Sequence, residues 1–257
     1  MTRAVDPREL GVRVDGGIAE VVVDRPRLNI LDLPILHVLY GVLAGIEKRS
    51  DWRVLTIRGT PSVFSAGVAV EDHVPERIAD TLTAFRSVLE RLEALDRPTI
   101  AVVRGPCLGG GMELAMACDI VAAADSATFG QPEIRLAAIP PYAIARYEGL
   151  VGRRRAFHDL ATGRTFPASE AMAAGYLTAC LPEAELDPWV ARIAATLATG
   201  SPAAIAVLKR TLRVNRATDD LARVEERYLR ELSRTPDAAE GIRAFLEKRP
   251  PRWEGVR

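Results

Sequence analysis

The sequence predicts an α/β fold that gives way to a helical tail. Three observations predict it. Short β-branched runs alternate with longer segments of helical apolar spacing, the pattern of βα units around a largely parallel sheet. From about Asp187 onward, helical patterns follow one another with no strand between them. Within the α/β region a run of three glycines leads straight into a helix-forming segment, "GPCLGGGMELAMACDI", residues 105 to 120.

The elements follow in order. "GIAEVVVDRP" (Gly17 to Pro26) reads as a strand closed by proline, and "LPILHVLYGVLAGIEKRS" (Leu33 to Ser50) as a helix with a basic end. "WRVLTIRG" (Trp52 to Gly59) is a second strand and "ERIADTLTAFRSVLERLEALD" (Glu76 to Asp96) a long amphipathic helix. "PTIAVVRG" (Pro98 to Gly105) is a third strand, and the glycine-led helix is followed by a further strand at "DIVAAAD" (Asp119 to Asp125). "PWVARIAATLATG", "SPAAIAVLKRTLR", "DDLARVEERYLRELSR" and "DAAEGIRAFLEKR" are successive helices. The break at Gly200-Ser201-Pro202 divides a core, residues 1–199, from a helical region, residues 200–257.

Composition narrows the function classes. Acidic and basic residues balance at 34 each, so no protein-wide field draws the chain to nucleic acid or to an acidic membrane. "MTRAVDPREL" carries no apolar leader, and no run approaches the roughly 18 apolar residues of a membrane helix. Cys107, Cys118 and Cys180 are odd in number and form no CxxC, so neither a disulfide framework nor a zinc site is expected. A reducing cytoplasm is the expected compartment.

A helix start leaves backbone N–H groups without partners and gathers partial positive charge. Gly109, Gly110 and Gly111 leave that backbone bare. A phosphate cradle lacks its GxxxxGK[ST], and a dinucleotide site lacks its GxGxxG. Close helix–strand packing and an oxyanion hole remain. An oxyanion hole needs a second donor, and "SVFSAGVAV", residues 62 to 70, supplies a candidate: it follows a strand and holds the small residues Ser65, Ala66 and Gly67. A parallel sheet brings such loops to one edge, where the N–H of Val68 can meet that of Gly110. Read alone, the loop is an ordinary turn. Glu113 lies in the first turn of the glycine-led helix, and Glu133 follows 20 residues later. Either is explained singly as a capping or dipole-paired carboxylate. Brought together and desolvated, they would hold one water, with one carboxyl pushed toward neutral pH to act as acid while the other acts as base.

At these residues the chain resembles the crotonase superfamily of enoyl-CoA hydratases and isomerases. The resemblance runs from "VDRPRLNIL" to "AFLEKRPPRW" and rests on four motifs in order: "FSAGVAV", "GPCLGGGMELAMACDI", "ATFGQPEIRLAAIP" and "GRTFPASEAMAAGYLTACLP". It implies a spiral of ββα units with a C-terminal helical trimerisation region, assembled as a homotrimer or a hexamer of paired trimers. It implies an acyl-CoA substrate and no metal or redox cofactor, while the balanced charge argues against a nucleic-acid or membrane partner. The thioester oxygen would lie between the N–H groups of Val68 and Gly110, bordered by Ala66, Gly67 and Gly109. Glu113 and Glu133 would flank the double bond, the first taking a proton from water and the second supplying one to carbon, in roles that are partly interchangeable. Retention of both favours hydration over isomerisation or another lyase reaction. Arg25, Arg27 and Lys248 are the implied contacts to coenzyme A. Two departures bear on the substrate. Pro141 and Tyr142 stand where straight-chain hydratases have glycines, reshaping the acyl pocket, and Ala69 replaces a usual aspartate. The combination of "LNILDL", "FSAGVAVEDH", "GGGMELA" and "IPP" is most similar to the cyclohexa-1,5-diene-1-carbonyl-CoA hydratase branch.

Other residues attract weaker readings. Cys107 beside the glycines has no histidine neighbour and reads as a buried core thiol. His37 and His158 read as helix residues, and His73 as a minor candidate for ligand contact. The run Arg153–Arg155 would serve RNA in a non-enzymatic crotonase-fold protein, but reads more simply as a solvated helix start or subunit contact.

Overall fold

A computed structural model describes residues 9–214 and 219–253. The leader-free reading of the first residues therefore lies outside the described part, as do short stretches of the tail. A six-stranded sheet runs in the order β1-β2-β3-β4-β6-β9. Its strands are β1 (Leu10–Asp15), β2 (Ile18–Val23), β3 (Val54–Arg58), β4 (Thr99–Val103), β6 (Ile120–Ala124) and β9 (Ala179–Leu181). Only the β1–β2 hairpin is antiparallel; every later pair is parallel. A second sheet of three short strands joins β5 (Pro106–Leu108), β7 (Thr128–Gly130) and β8 (Thr165–Pro167).

β3 and β4 are apolar on both faces because both faces are covered. Leu55, Ile57, Ala101, Val103, Val121 and Ala123 face the main core, closed by α1 (Leu33–Glu47) and α2 (Ile78–Ala94). Val54, Ile100, Val102, Ala122 and Ala124 face the other way, onto Leu186, Val190 and Ala194 of α7 (Glu183–Thr199). Local signals set the helix starts. Asp32 caps α1 by accepting from Ile35 N at 3.1 Å, with Pro34 in the first turn.

β4, β5 and α3 (Gly110–Met116) form one ββα turn of a spiral. β6 and β7 begin the next, followed by a 3-10 turn (Pro132–Leu136) and α4 (Pro141–Val151). α5 (Arg153–Thr162) and α6 (Ala168–Ala173) complete the core. The tail holds α8 (Pro202–Val214), α9 (Asp219–Arg227), a π-helical turn (Tyr228–Leu232) and α10 (Pro236–Leu246). It folds back on the core: α9 packs on α4, and Gly241 of α10 lies so close to the backbone of Leu136 that a Cβ there would fall 2.4 Å from its carbonyl oxygen. No single helix among the described residues is long and apolar enough to cross a membrane.

Candidate active site

The loop from Gly59 to Ala69, after β3, and the start of α3, after β5, meet at one end of the sheets. Ser65 bridges to Cys107 and its carbonyl accepts from Leu108 N at 2.9 Å, which locks the two segments together. The loop amides can be accounted for one by one. Phe64 and Ser65 donate to Pro106 O at 3.0 and 3.2 Å, Ala66 to Leu28 O at 2.9 Å, and Ala69 to Leu31 O at 3.4 Å. Gly67 N donates to Ser65 Oγ at 3.1 Å. The N–H of Val68 has no acceptor among the described residues. At the helix start, Gly109 N donates to Gly130 O at 2.9 Å, whereas Gly110 N, at the first position of α3, has none.

These two unpaired donors are neighbours. A Cβ on Gly110 would lie 3.2 Å from Val68 N and 2.8 Å from Val68 Cγ2. Gly109, at φ +52°, would place a Cβ 2.6 Å from Glu133 Oε1. The glycines are thus required by close approach on two sides, from the second donor and from the second carboxylate. Gly111 serves close packing as well, since a Cβ there would meet Ser65 O, in the loop after β3, at 2.5 Å.

Donors and carboxylates open onto one cavity of about 240 Å³ that Ala66, Gly67, Val68, Gly109, Gly110, Glu113, Glu133 and Pro141 help to line. Glu113 is buried, and its Oε1 accepts from Ala143 N at 2.8 Å, in the first turn of α4. Burial pushes its carboxyl above the ordinary carboxylate range; the amides of Ala143 and Tyr142 pull it down, and the Glu225 carboxylate pushes it up further. Glu133 is half-buried and lines the cavity. Burial raises its carboxyl too, and the charge of Glu113 adds to the rise. With the Gln131 amide nitrogen turned toward it, Glu133 accepts at 3.1 and 3.2 Å on its two oxygens; the opposite orientation sets oxygen against oxygen.

Other expected site residues are placed elsewhere. Arg25 is consumed internally: it donates to Glu9 Oε2 at 3.0 Å, to Ile30 O at 2.6 Å and to Asp32 Oδ2 at 3.0 Å, and is buried. It braces the segment before α1, with Nε and both terminal nitrogens engaged inside the chain. Tyr142 does not line the cavity; its ring is in the core and its hydroxyl donates to buried Glu93 at 2.6 Å. The reason is helical geometry: at the start of α4, Pro141 faces the cavity while the next position turns toward α2. Arg27 is exposed one residue from Leu28, whose carbonyl pairs with Ala66. Lys248 is exposed three residues beyond Phe245, which lines the cavity. Cys107 is buried and held protonated by burial. Within the basic run, Arg155 is paired with Asp159 at 2.5 Å. His37 and His158 are exposed.

The rest of the wall was not read from the sequence. Thr81, Leu82 and Phe85 reach it from α2, and Tyr228 and Phe245 from the tail. Tyr228 lies close enough to Glu133 for that charge, with burial, to raise its phenol. In α2 the lining residues carry the same helical spacing as core residues, so periodicity cannot separate the two uses. A bare donor pair at a cavity wall can stabilise an oxygen that becomes negative during reaction, and two carboxyls beside it can exchange protons with a water held between them.

The family profile for enoyl-CoA hydratase/isomerase matches residues 13–256. The chain is 32% identical to the cyclohexa-1,5-dienecarbonyl-CoA hydratase of Thauera aromatica, over 99% of each chain. It is 33% identical to the carnitinyl-CoA dehydratase of Salmonella enteritidis, over 94% of this chain and 96% of that one. Among solved structures, the enoyl-CoA hydratase of Mycobacterium avium subsp. paratuberculosis superposes with a TM-score of 0.86 at 28% identity, covering 96% of this chain and 99% of that one. That of Bacillus anthracis does so with a TM-score of 0.77 at 30% identity, covering 96% and 100%.

Proposed function

Because the chain belongs to the enoyl-CoA hydratase/isomerase family, we propose that it adds water across the conjugated double bond of an enoyl-CoA or cyclic dienoyl-CoA thioester, with Glu113 and Glu133 as its proton-transfer groups. The observation that carries this reading is the convergence, on one cavity, of the unpaired N–H groups of Val68 and Gly110 with the buried carboxyl of Glu113 and the half-buried carboxyl of Glu133.

The proposed chemistry uses each group once. The thioester oxygen accepts from Val68 N and Gly110 N, so the negative charge that develops as water attacks the β-carbon falls between two fixed dipoles. Glu113, oriented by the first turn of α4, takes a proton from the attacking water. Glu133 delivers a proton to the α-carbon. The net change is one water added and no charge gained. Two coupled carboxyls raised by burial suit the division, because repulsion keeps one protonated while the other is ionised.

The cyclic dienoyl substrate draws support from the Thauera aromatica relative and from Pro141, a rigid residue at the cavity wall. Coenzyme A would be met by Arg27 and Lys248, the exposed members of the expected trio. A homotrimer, or a pair of trimers, would cover the apolar face that α8 exposes at Val207, Leu208 and Leu212.

The test is an acyl-CoA panel containing crotonyl-CoA, a branched enoyl-CoA and cyclohexa-1,5-diene-1-carbonyl-CoA, read by product mass for wild type, Glu113→Gln and Glu133→Gln. Addition of one water by wild type and loss of it in both variants is the expected result. A folded protein that hydrates none of them but exchanges solvent hydrogen into the acyl carbon would overturn hydration in favour of isomerase chemistry.

A further inference from the structure

The deep wall of the cavity holds a polar group that the proposed hydration does not use. Thr81, in the first turn of α2, lines the cavity and is 1% exposed. Its hydroxyl has no hydrogen-bond partner among the described residues, while its amide donates to Arg77 O at 3.0 Å. A buried hydroxyl without a partner costs free energy that folding has no reason to retain unless something else satisfies it. The flanking cavity residues of α2, Ile78, Leu82 and Phe85, are apolar, so an alanine or valine would have served packing as well.

The position fixes which part of a ligand Thr81 meets. Phe85 touches the oxyanion segment, its Cε1 lying 3.3 Å from where a Cβ on Gly110 would be. Thr81 precedes Phe85 by one helical turn, about 5 Å along the axis. Ile78, three residues earlier in the helix, is also fully buried and lines the same cavity. His73 completes the same wall. Its Nδ1 lies 2.9 Å from Ala69 O, an acceptor, so Nδ1 carries the hydrogen and Nε2 keeps the lone pair. Burial favours the neutral ring.

We infer that the acyl pocket recognises an oxygen-bearing acyl group, a hydroxyl or ring carbonyl about one helical turn from the thioester carbonyl, through the hydroxyl of Thr81, with His73 as a second polar contact. The inference rests on the cavity being the acyl-CoA site and narrows that reading: it favours an acyl group with an oxygen substituent over the unsubstituted cyclic dienoyl group. A substrate that is hydrocarbon beyond its double bond would leave Thr81 unsatisfied. A hydroxyl or carbonyl oxygen on the ligand can accept the hydrogen that Thr81 Oγ1 leaves unused.

The test uses saturated thioesters, which bind without reacting. Calorimetric affinities of cyclohexanecarbonyl-CoA and of its 3-hydroxy and 4-hydroxy derivatives are compared for wild type, Thr81→Val and Thr81→Ser, with folding checked by circular dichroism. Wild type is expected to bind at least one hydroxylated ligand about fivefold to tenfold more tightly than the hydrocarbon. Thr81→Val should abolish that preference and Thr81→Ser keep it. Equal binding of all three ligands by wild type, or a preference that survives Thr81→Val, overturns the inference and leaves the hydratase reading standing. Failure of every thioester to bind overturns both. Binding with the expected preference but without hydration of the corresponding enoyl thioesters would overturn the hydratase reading alone.

Discussion

Glu113 and Glu133 reach the cavity from different elements, and each is raised by burial before the other's charge is counted. Their linkage to stability has a definite sign. In the unfolded chain a glutamate ionises near 4.5, so as pH rises past that value the unfolded state loses these protons first. The stability contributed by the protonated pair is full below that pH and is lost as pH rises through the raised folded values. Glu113→Gln and Glu133→Gln, which cannot ionise, should therefore gain stability relative to wild type as pH goes from 5 to 8, by about 1 kcal/mol or more, while hydration falls about 10²- to 10⁴-fold. Thermal melts across that range check the first expectation and steady-state rates the second; variants that lose stability uniformly with pH would contradict the linkage. The wild-type rate should follow a bell, with its centre displaced from the ordinary carboxylate range toward neutrality, since one group must be ionised and one protonated. Gly110→Ala tests the donor pair. Its methyl would crowd Val68 Cγ2 and Val68 N, and kcat/KM should drop about 10²- to 10³-fold, the loss associated with one such donor, in a protein that still folds.

Among the elements, α4 matters for what its first turn holds. Pro141 shapes the cavity, Ala143 N anchors Glu113 at 2.8 Å, and Tyr142 between them is tied through Glu93 to α2, with Arg146 Nε also on Glu93 at 3.3 Å. A contact expected to touch substrate thus acts by fixing the turn that orients a carboxyl. Tyr142→Phe should cost about 1–3 kcal/mol of stability, the price of a buried hydrogen bond to a charged group. It should lower kcat more than it raises KM, because Glu113 is displaced while the cavity lining is unchanged. Denaturant titration and Michaelis analysis separate the two, and an unchanged kcat would detach this network from the site. The elements legible in the sequence were the long, periodic ones: α1, α2, β3 and β4 lie within their expected ranges. The three-residue strands β5, β7, β8 and β9 were not, because so few residues carry no period. Yet β5 and β7 carry the backbone that presents Gly109 and Gly110.

For the molecule as a whole, the tail is a wall of the cavity and a surface at once. Tyr228 and Phe245 close the site from within. α8 is tied to the sheet by Lys209, whose Nζ donates to Asp119 Oδ2 at 2.6 Å and to Arg97 O at 3.0 Å, while Val207, Leu208 and Leu212 face outward. An apolar face on an anchored helix is a subunit contact in the proposed assembly. Leu208→Glu should dissociate it, giving the monomer mass by light scattering with helical content retained. A mass unchanged from wild type would remove α8 from the interface.

The sequence by itself determined the α/β class, the passage to a helical tail, the order of four motifs and hence the family, and the two segments and two glutamates that the cavity brings together. Those features are local: a glycine run, a proline stop, a helical period and a carboxylate in a first turn are written in neighbouring residues. Only the tertiary structure decided which amides go unpaired, because each acceptor for the loop of Ser65 to Ala69 comes from a distant segment. It alone sent Arg25 to Glu9 and Asp32, turned Tyr142 into the core, and set an unsatisfied Thr81 against the cavity. Identity fixes what a side chain can donate or accept; its partners are fixed by what the fold leaves within about 3 Å of it.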